Sequence, residues 1–159
     1  MSLQIGEAFP DVRLDENTPD NKVGTSDALS GKKVVVVGIP GAFTPTCQNQ
    51  HLPSYVEQCE ALKAKGVEEI WCISVNDAFV QSAFSKKVDP DQKLRFLADP
   101  RGELTAALGT ELDLTEPLGT KRTRRFSALV DNGVIRQFNV EEGGGTDVSM
   151  AEHLLEQMS

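Results

Sequence analysis

Residues Lys32 to Ile39, "KKVVVVGI", are apolar without polar alternation, the pattern of a strand covered on both faces. Further on, Leu52, Tyr55, Val56, Cys59 and Leu62 recur at i, i+3, i+4, i+7 and i+10. They predict a helix with one buried stripe, ending at "KAKG" with Gly66 as its cap. Pro53 has no N–H to give, which predicts a kink near Asn49. "EEIWCISV" reads as a second buried strand, and Asn76 or Asp77 opens a helix through "AFVQSAFSKKV". "LRFLAD" is a third strand, followed by a short helix over "GELTAALG". "RRFSALVDNGVIRQFNVE" divides at Asp131, Asn132 and Gly133 into two β-rich runs, a hairpin signal. Ser149 with Glu152 three residues later reads as a capping box for a last helix carrying Met150, His153, Leu154 and Leu155.

Alternating strands and helices, then an antiparallel hairpin and a closing helix, describe an α/β fold with a central mixed β-sheet flanked by helices. A thioredoxin-like sandwich is the natural candidate. There is no internal repeat, and the glycine run Gly143 to Gly145 is a short loop. The 159 residues suit one domain spanning 1–159. A hydrophobic content of 39% beside 25% charged residues belongs to a globular chain rather than a disordered or membrane one. No apolar run reaches the roughly 20 residues of a spanning helix. The N-terminal "MSLQIGEAFPDVRLDEN" lacks a basic and apolar leader and an Arg-rich transit pattern, so a cytoplasmic location is expected. A net charge of −8 makes nucleic acid and anionic membrane surfaces poor partners.

The cysteines, at 47, 59 and 72, are odd in number and form neither a disulfide framework nor metal-binding spacing. Reduced thiols are the expectation. Cys59 lies in the apolar stripe and reads as a small buried hydrophobe. Cys72, between Trp71 and Ile73, is either core or a thiol that reaches another thiol when the local structure opens. Cys47 differs from both. It falls off the stripe and in the first turn of the helix, where unpaired N–H groups and the positive dipole end favour an anion. A free thiol of pKa about 8.5 is only a few per cent ionised at neutral pH, whereas a pKa of about 6 makes it mostly thiolate; each unit requires about 1.4 kcal/mol. Pro40 and Pro45 stiffen the loop from Gly41 to Thr44. The Thr44 hydroxyl and the N–H groups of Thr46 and Cys47 would face the same space. The residues therefore point to a Cys47 thiolate aimed at a small molecule.

"PGAFTPTC" followed by "HLPSYVE" resembles the active-site segment of peroxiredoxins, of the peroxiredoxin 5 or type II branch. The likeness continues through "KGVEEIWCISVNDAFV" and "RRFSALVDNGVI" to the end of the chain. It implies a thiol peroxidase with no metal or organic cofactor, in which Pro40 shields the thiolate, Thr44 hydrogen-bonds the peroxide and Cys47 attacks it. An arginine stabilises the developing charge. In the family pattern that arginine directly precedes the aromatic residue opening the hairpin, which selects Arg125 from Lys121, Arg122, Arg124 and Arg125 and leaves its neighbours as surface residues. Cys47 then becomes a sulfenic acid.

Some members of the branch resolve that acid with a second cysteine before the last helix, where this chain has Val148. The resemblance therefore implies a one-cysteine cycle completed by glutathione with glutaredoxin, or by thioredoxin. Cys72 matches a cysteine of plant-type members and stays as the possible resolving residue. A homodimer through the active-site edge is also implied, with Phe43 and Phe79 as candidates for that contact, the pocket or the core. His51, one turn after Cys47, reads as a structural or capping residue rather than a base. A thioredoxin-like redox sensor, oxidised at Cys47 without fast turnover, is the alternative. A cysteine hydrolase would need an Asp or Asn orienting its histidine, and none is evident.

Overall fold

In the computed structural model, residues 3–45, 50–143 and 145–158 are described. In chain order the elements are β1 (Arg13–Glu16), β2 (Thr18–Gly24), α1 (Thr25–Leu29), β3 (Lys33–Ile39), α2 (Leu52–Glu57), α3 (Cys59–Ala64), β4 (Glu69–Ser74) and α4 (Ala78–Val88). Then come β5 (Arg95–Ala98), α5 (Glu103–Leu108), β6 (Glu111–Leu114), α6 (Thr115–Leu118), β7 (Thr120–Thr123), β8 (Phe126–Asp131), β9 (Val134–Val140) and α7 (Ala151–Gln157). The main sheet runs β2-β1-β5-β4-β3-β8-β9, with β3, β4 and β5 mutually parallel and the other pairs antiparallel. Among the described residues, strands β6 and β7 pair only with each other, as a separate two-stranded flap.

The unbroken apolar run of β3 is explained by its two covers. Val35, Val37 and Ile39 pack with Leu52, Tyr55, Cys59, Leu62, Phe84 and Leu154, which belong to α2, α3, α4 and α7. Val34 and Val36 face the other way, with Leu29, Trp71, Leu97, Leu104 and Leu108 of α1, β4, β5 and α5. Each buried valine contributes about 1.5–3 kcal/mol by removal from water, and a one-residue slip of register would forfeit it on both faces at once. Cys72 lies on the same sheet face as Cys59, towards α2 and α3.

The predicted strands, the helix capped by Asp77 and the Asn132-Gly133 hairpin are all present. The Asp77 side chain accepts the N–H of Val80 at 2.8 Å, and Asn132 and Gly133 take φ of 50° and 79°, as a two-residue hairpin turn requires. Gly66 has φ of 95°, the left-handed geometry that ends a helix.

Two expectations change. The single helix over residues 52–62 is two helices, because Gln58 leaves helical geometry at φ −95°, ψ 9°; both pieces still present the predicted stripe to the core. The capping box of the last helix does not form. Helix α7 starts at Ala151 with Met150 as its cap and no side-chain cap bond. The Ser149 hydroxyl instead donates to the Glu141 carboxylate at 2.7 Å, a charge-assisted bond that outcompetes a neutral backbone partner. The kink expected near Asn49 falls outside the described residues; Gln50 and His51, just after it, form a π turn leading into α2.

Gly38 shows how tightly β3 and β8 are matched. A Cβ there would sit 2.0 Å from Cε2 of Phe126, the residue opposite it across the ladder. Gly38→Ala should therefore cost at least about 1–3 kcal/mol, the usual penalty of overpacking, measured as a lower urea midpoint; an unchanged midpoint would mean the ring has room to move.

Candidate active site

Three elements bring the site together at the carboxyl end of β3. The strand runs from Ile39 directly into Pro40 and the 41–45 loop. At the end of β4, the Asn76 side chain accepts the Ala42 N–H at 3.0 Å, fixing that loop to the neighbouring strand. Strand β8 runs antiparallel to β3 with Gly38 opposite Phe126, so the residue just before β8, Arg125, arrives beside the start of the loop.

The loop itself is held in an unusual shape. Phe43 has φ of 66°, a left-handed conformation that costs a residue with a side chain about 1–2 kcal/mol. Its ring packs edge-on against Phe84, with centroids 5.0 Å apart, which helps to hold the turn. The turn delivers Thr44, whose hydroxyl donates to the Gly41 carbonyl at 2.8 Å. With its hydrogen so directed, the oxygen's lone pairs remain to accept a proton-bearing ligand.

Pro40, Thr44 and Arg125, all selected from the sequence, line one cavity of about 370 Å3. Pro45, Gly143, Leu112, Leu114 and Leu118 complete it, so most of its wall is apolar. Arg125 is 4% exposed and donates through Nη1 to the Gly145 carbonyl at 3.1 Å. A buried guanidinium among prolines and leucines is a strong local attractor for a thiolate or a polarised oxygen, since little solvent screens it. Cys47, and with it Thr46, lies outside the described residues. Cys72 is elsewhere: it is fully buried in β4, with its sulfur 3.8 Å from Nε2 of Gln81, and does not line the cavity. Cys59 is also buried, and burial raises its thiol pKa.

The basic run before β8 is not the surface feature expected. Lys121 is exposed, but Arg122 is half-buried and donates through Nη1 to the Pro40 carbonyl at 3.2 Å. Arg124 donates to the Glu142 carbonyl. Phe43 and Phe79 are 46% and 62% exposed and neither lines the cavity, which removes the core and pocket roles considered for them.

Behind the cavity lies a polar scaffold that sequence reading missed. Glu141, just past β9, is buried, and one of its carboxylate oxygens accepts the N–H groups of Val148 and Ser149 at 2.8 Å each and the Ser149 hydroxyl. Burial opposes its ionisation, but the bonds from Ser149 and Val148 outweigh that and hold its pKa below the usual carboxylate value. The Ser149 carbonyl, turned the other way, lies 3.0 Å from Nε2 of His51 and accepts the Tyr55 hydroxyl at 2.6 Å. A carbonyl can only accept, so Nε2 of His51 carries a hydrogen. Its Nδ1 has no hydrogen-bond partner among the described residues. An acidic residue at a strand end gives no local cue to such a role.

Burial, reinforced by the Arg125 charge, lowers the His51 pKa to about 3, with the Ser149 bond and Glu141 opposing. Since an unfolded His51 binds its proton near 6.5, the native state is at full strength above that pH and loses stability as pH falls from there towards 3. Glu141 adds its own loss only below about its ordinary value of 4.5, so pH 5–7 isolates the histidine. Urea midpoints should decline across that window, and His51→Gln should flatten the decline; an unaltered slope would assign the acid sensitivity to other groups. Among the described residues, no group of three or more His, Cys, Asp or Glu is arranged to hold a metal ion.

Comparison with known proteins places the chain in a family. Residues 4–155 match the Redoxin family model. The chain is 45% identical to peroxiredoxin-2C of Oryza sativa subsp. japonica, over 98% of both chains. Its fold matches reduced Prx3 from Vibrio vulnificus in complex with H2O2 with a TM-score of 0.93 and 38% identity, covering 99% of each chain. It also matches peroxiredoxin 5 from Alvinella pompejana with a TM-score of 0.91 and 37% identity, over 98% of this chain and 97% of that one. The chain belongs to the peroxiredoxins, the thiol peroxidase oxidoreductases, in their type II or peroxiredoxin 5 branch.

Proposed function

We propose that this protein reduces hydrogen peroxide and small alkyl hydroperoxides, with Cys47 as the attacking thiolate, and that an outside thiol restores the enzyme. The observation that carries this is the convergence of Pro40, Thr44 and Arg125 on one cavity, at the end of the loop from which Cys47 follows in the chain.

The thiolate attacks the terminal oxygen of ROOH, forming the S–O bond as the O–O bond breaks and leaving RO⁻, which takes a proton from solvent. Thr44 accepts the peroxide O–H, consistent with its own hydrogen pointing at Gly41. Arg125 stabilises the sulfur anion before attack and the charge on the departing oxygen during it. Pro40, on the cavity wall, shields the thiolate. Leu112, Leu114 and Leu118 give an alkyl substituent an apolar wall to rest on. The complex of the related Vibrio vulnificus protein with H2O2 supports hydrogen peroxide as a substrate here.

The Cys47 sulfenic acid then condenses with an external thiol, releasing water and leaving a mixed disulfide, which a second thiol cleaves to free Cys47. Glutathione with glutaredoxin, or thioredoxin, supplies these electrons. A one-cysteine cycle is supported by Val148 at the position of a loop cysteine and by the complete burial of both Cys59 and Cys72. A cytoplasmic protein acting as a homodimer completes the picture, with the exposed Phe43 and Phe79 as apolar contacts at the active-site edge.

Peroxide consumption by single-cysteine variants tests this, with each reductant supplied in turn. Cys47→Ser should lose all activity with every donor, while Cys59→Ser and Cys72→Ser keep most of theirs. A large loss in Cys72→Ser would replace the one-cysteine cycle with an internal disulfide. If the wild type oxidises at Cys47 but turns over no faster than free cysteine, the protein is a sensor rather than a peroxidase. Arg125→Gln should lower kcat/KM about 100-fold or more, the scale of removing one preorganised charge donor.

A further inference from the structure

The β6–α6–β7 flap supplies the leucine wall of the cavity, yet it shares no ladder with the main sheet. Something other than strand pairing has to keep that wall over the site. Arg122, on β7, is placed to do so. Its Nη1 donates to the Pro40 carbonyl at 3.2 Å, its Nη2 reaches the Leu118 carbonyl at 3.4 Å, and its Nε donates to the Thr120 hydroxyl at 3.0 Å. One planar fork thus joins the first residue of the active-site loop to the last residue of α6 and to the strand that follows.

The same corner explains Gly41. A Cβ at that position would lie 2.9 Å from Nη1 of Arg122, 3.1 Å from Cγ2 of Thr44 and 3.9 Å from Cδ1 of Leu118. Guanidinium, threonine methyl and leucine therefore close around the glycine, and a Cβ there would have to push the Arg122 fork and the Thr44 methyl aside. The flap, the clamp and the loop that aims Thr44 form one packed unit.

We propose that Arg122 is a specificity-determining positioning residue: by clamping the flap to Pro40 it sets the leucine wall at the distance that grips the organic group of an alkyl hydroperoxide. Arg122 does not itself line the cavity. The inference rests on the peroxidase function proposed for this cavity. Losing the clamp lets Leu112, Leu114 and Leu118 withdraw, which removes apolar contacts that only a substrate with a carbon substituent makes. Hydrogen peroxide has no such substituent, so its reaction depends on the clamp far less. Lysine is not an equivalent, because a single ammonium lacks the flat fork that reaches both carbonyls together.

The test compares kcat and KM for hydrogen peroxide and cumene hydroperoxide in the wild type, Arg122→Ala, Arg122→Lys, Leu118→Ala and the double variant Arg122→Ala/Leu118→Ala. In Arg122→Ala, kcat/KM for cumene hydroperoxide should fall about tenfold or more relative to hydrogen peroxide, the scale of losing one or two carbon contacts in a pocket. The loss should fall mainly on KM. Leu118→Ala should show the same split, and the double variant little more than either single change, because both act through one contact. Should Arg122→Ala fail to fold, Arg122→Lys carries the test, with the same shift expected. Equal losses for both peroxides, a lysine variant with the wild-type ratio, or losses that multiply in the double variant would each overturn the clamp. A wild type inactive on both peroxides would sink the peroxidase function itself, whereas an active wild type with an unmoved ratio in the variants sinks the clamp alone.

Discussion

The pairing of β3 with β8 is the constraint on which the rest of this structure depends. Gly38 faces Phe126 with no side chain to spare, so the aromatic ring lies across the strand where any Cβ would stand. That contact fixes the register of the two strands, and the register places Arg125 at the level where β3 gives way to Pro40. A guanidinium and a threonine-bearing loop from segments about eighty residues apart in sequence thus reach one cavity because two buried strands can pair in only one way without exposing valines. Core packing and site geometry are set by the same interaction.

Around this centre the protein uses buried polar groups as fasteners. Glu141 is an ion withdrawn from water, tolerated because two N–H groups and a hydroxyl converge on it. By gripping residues 148 and 149 it turns the Ser149 carbonyl towards α2, where His51 and Tyr55 donate to it. The end of β9, the start of α7 and the helix after the active-site loop are tied together in this way. The histidine held there is neutral because its burial, reinforced by the Arg125 charge, outweighs the Ser149 bond and Glu141, and it gives the scaffold a sensitivity to acid that an apolar core would lack.

Much of this was legible in the sequence, and the limits have physical causes. Strands β3, β4 and β5, helix α4 and the β8–β9 hairpin are visible because each is buried on one face or two, and the hairpin has its Asn-Gly turn. The β6–β7 flap was not read, since its strands span four residues each, β6 half-burying only alternate side chains and β7 leaving its first two exposed. Pro40, Thr44 and Arg125 were found through a motif and a resemblance, and they do line one cavity. Arg122 was passed over because four basic residues in a run look alike until the fold shows which one meets the Pro40 and Leu118 carbonyls. Ser149 misled for a related reason. Its spacing to Glu152 fits a capping box, but Glu141, eight residues upstream, is a stronger acceptor that only the folded chain brings near.

At the centre of the account stands the proposal that the Cys47 thiol is kept as an anion, above all by the charge of Arg125. The most direct measurement is the pH dependence of Cys47 alkylation by iodoacetamide, in a background where Cys59 and Cys72 are serine, compared with the same protein carrying Arg125→Gln. The account predicts an apparent pKa below about 7 in the parent, against about 8.5 for a free thiol, and an upward shift of about one unit or more in the variant. A parent thiol titrating near 8.5, or a value indifferent to Arg125, would contradict it.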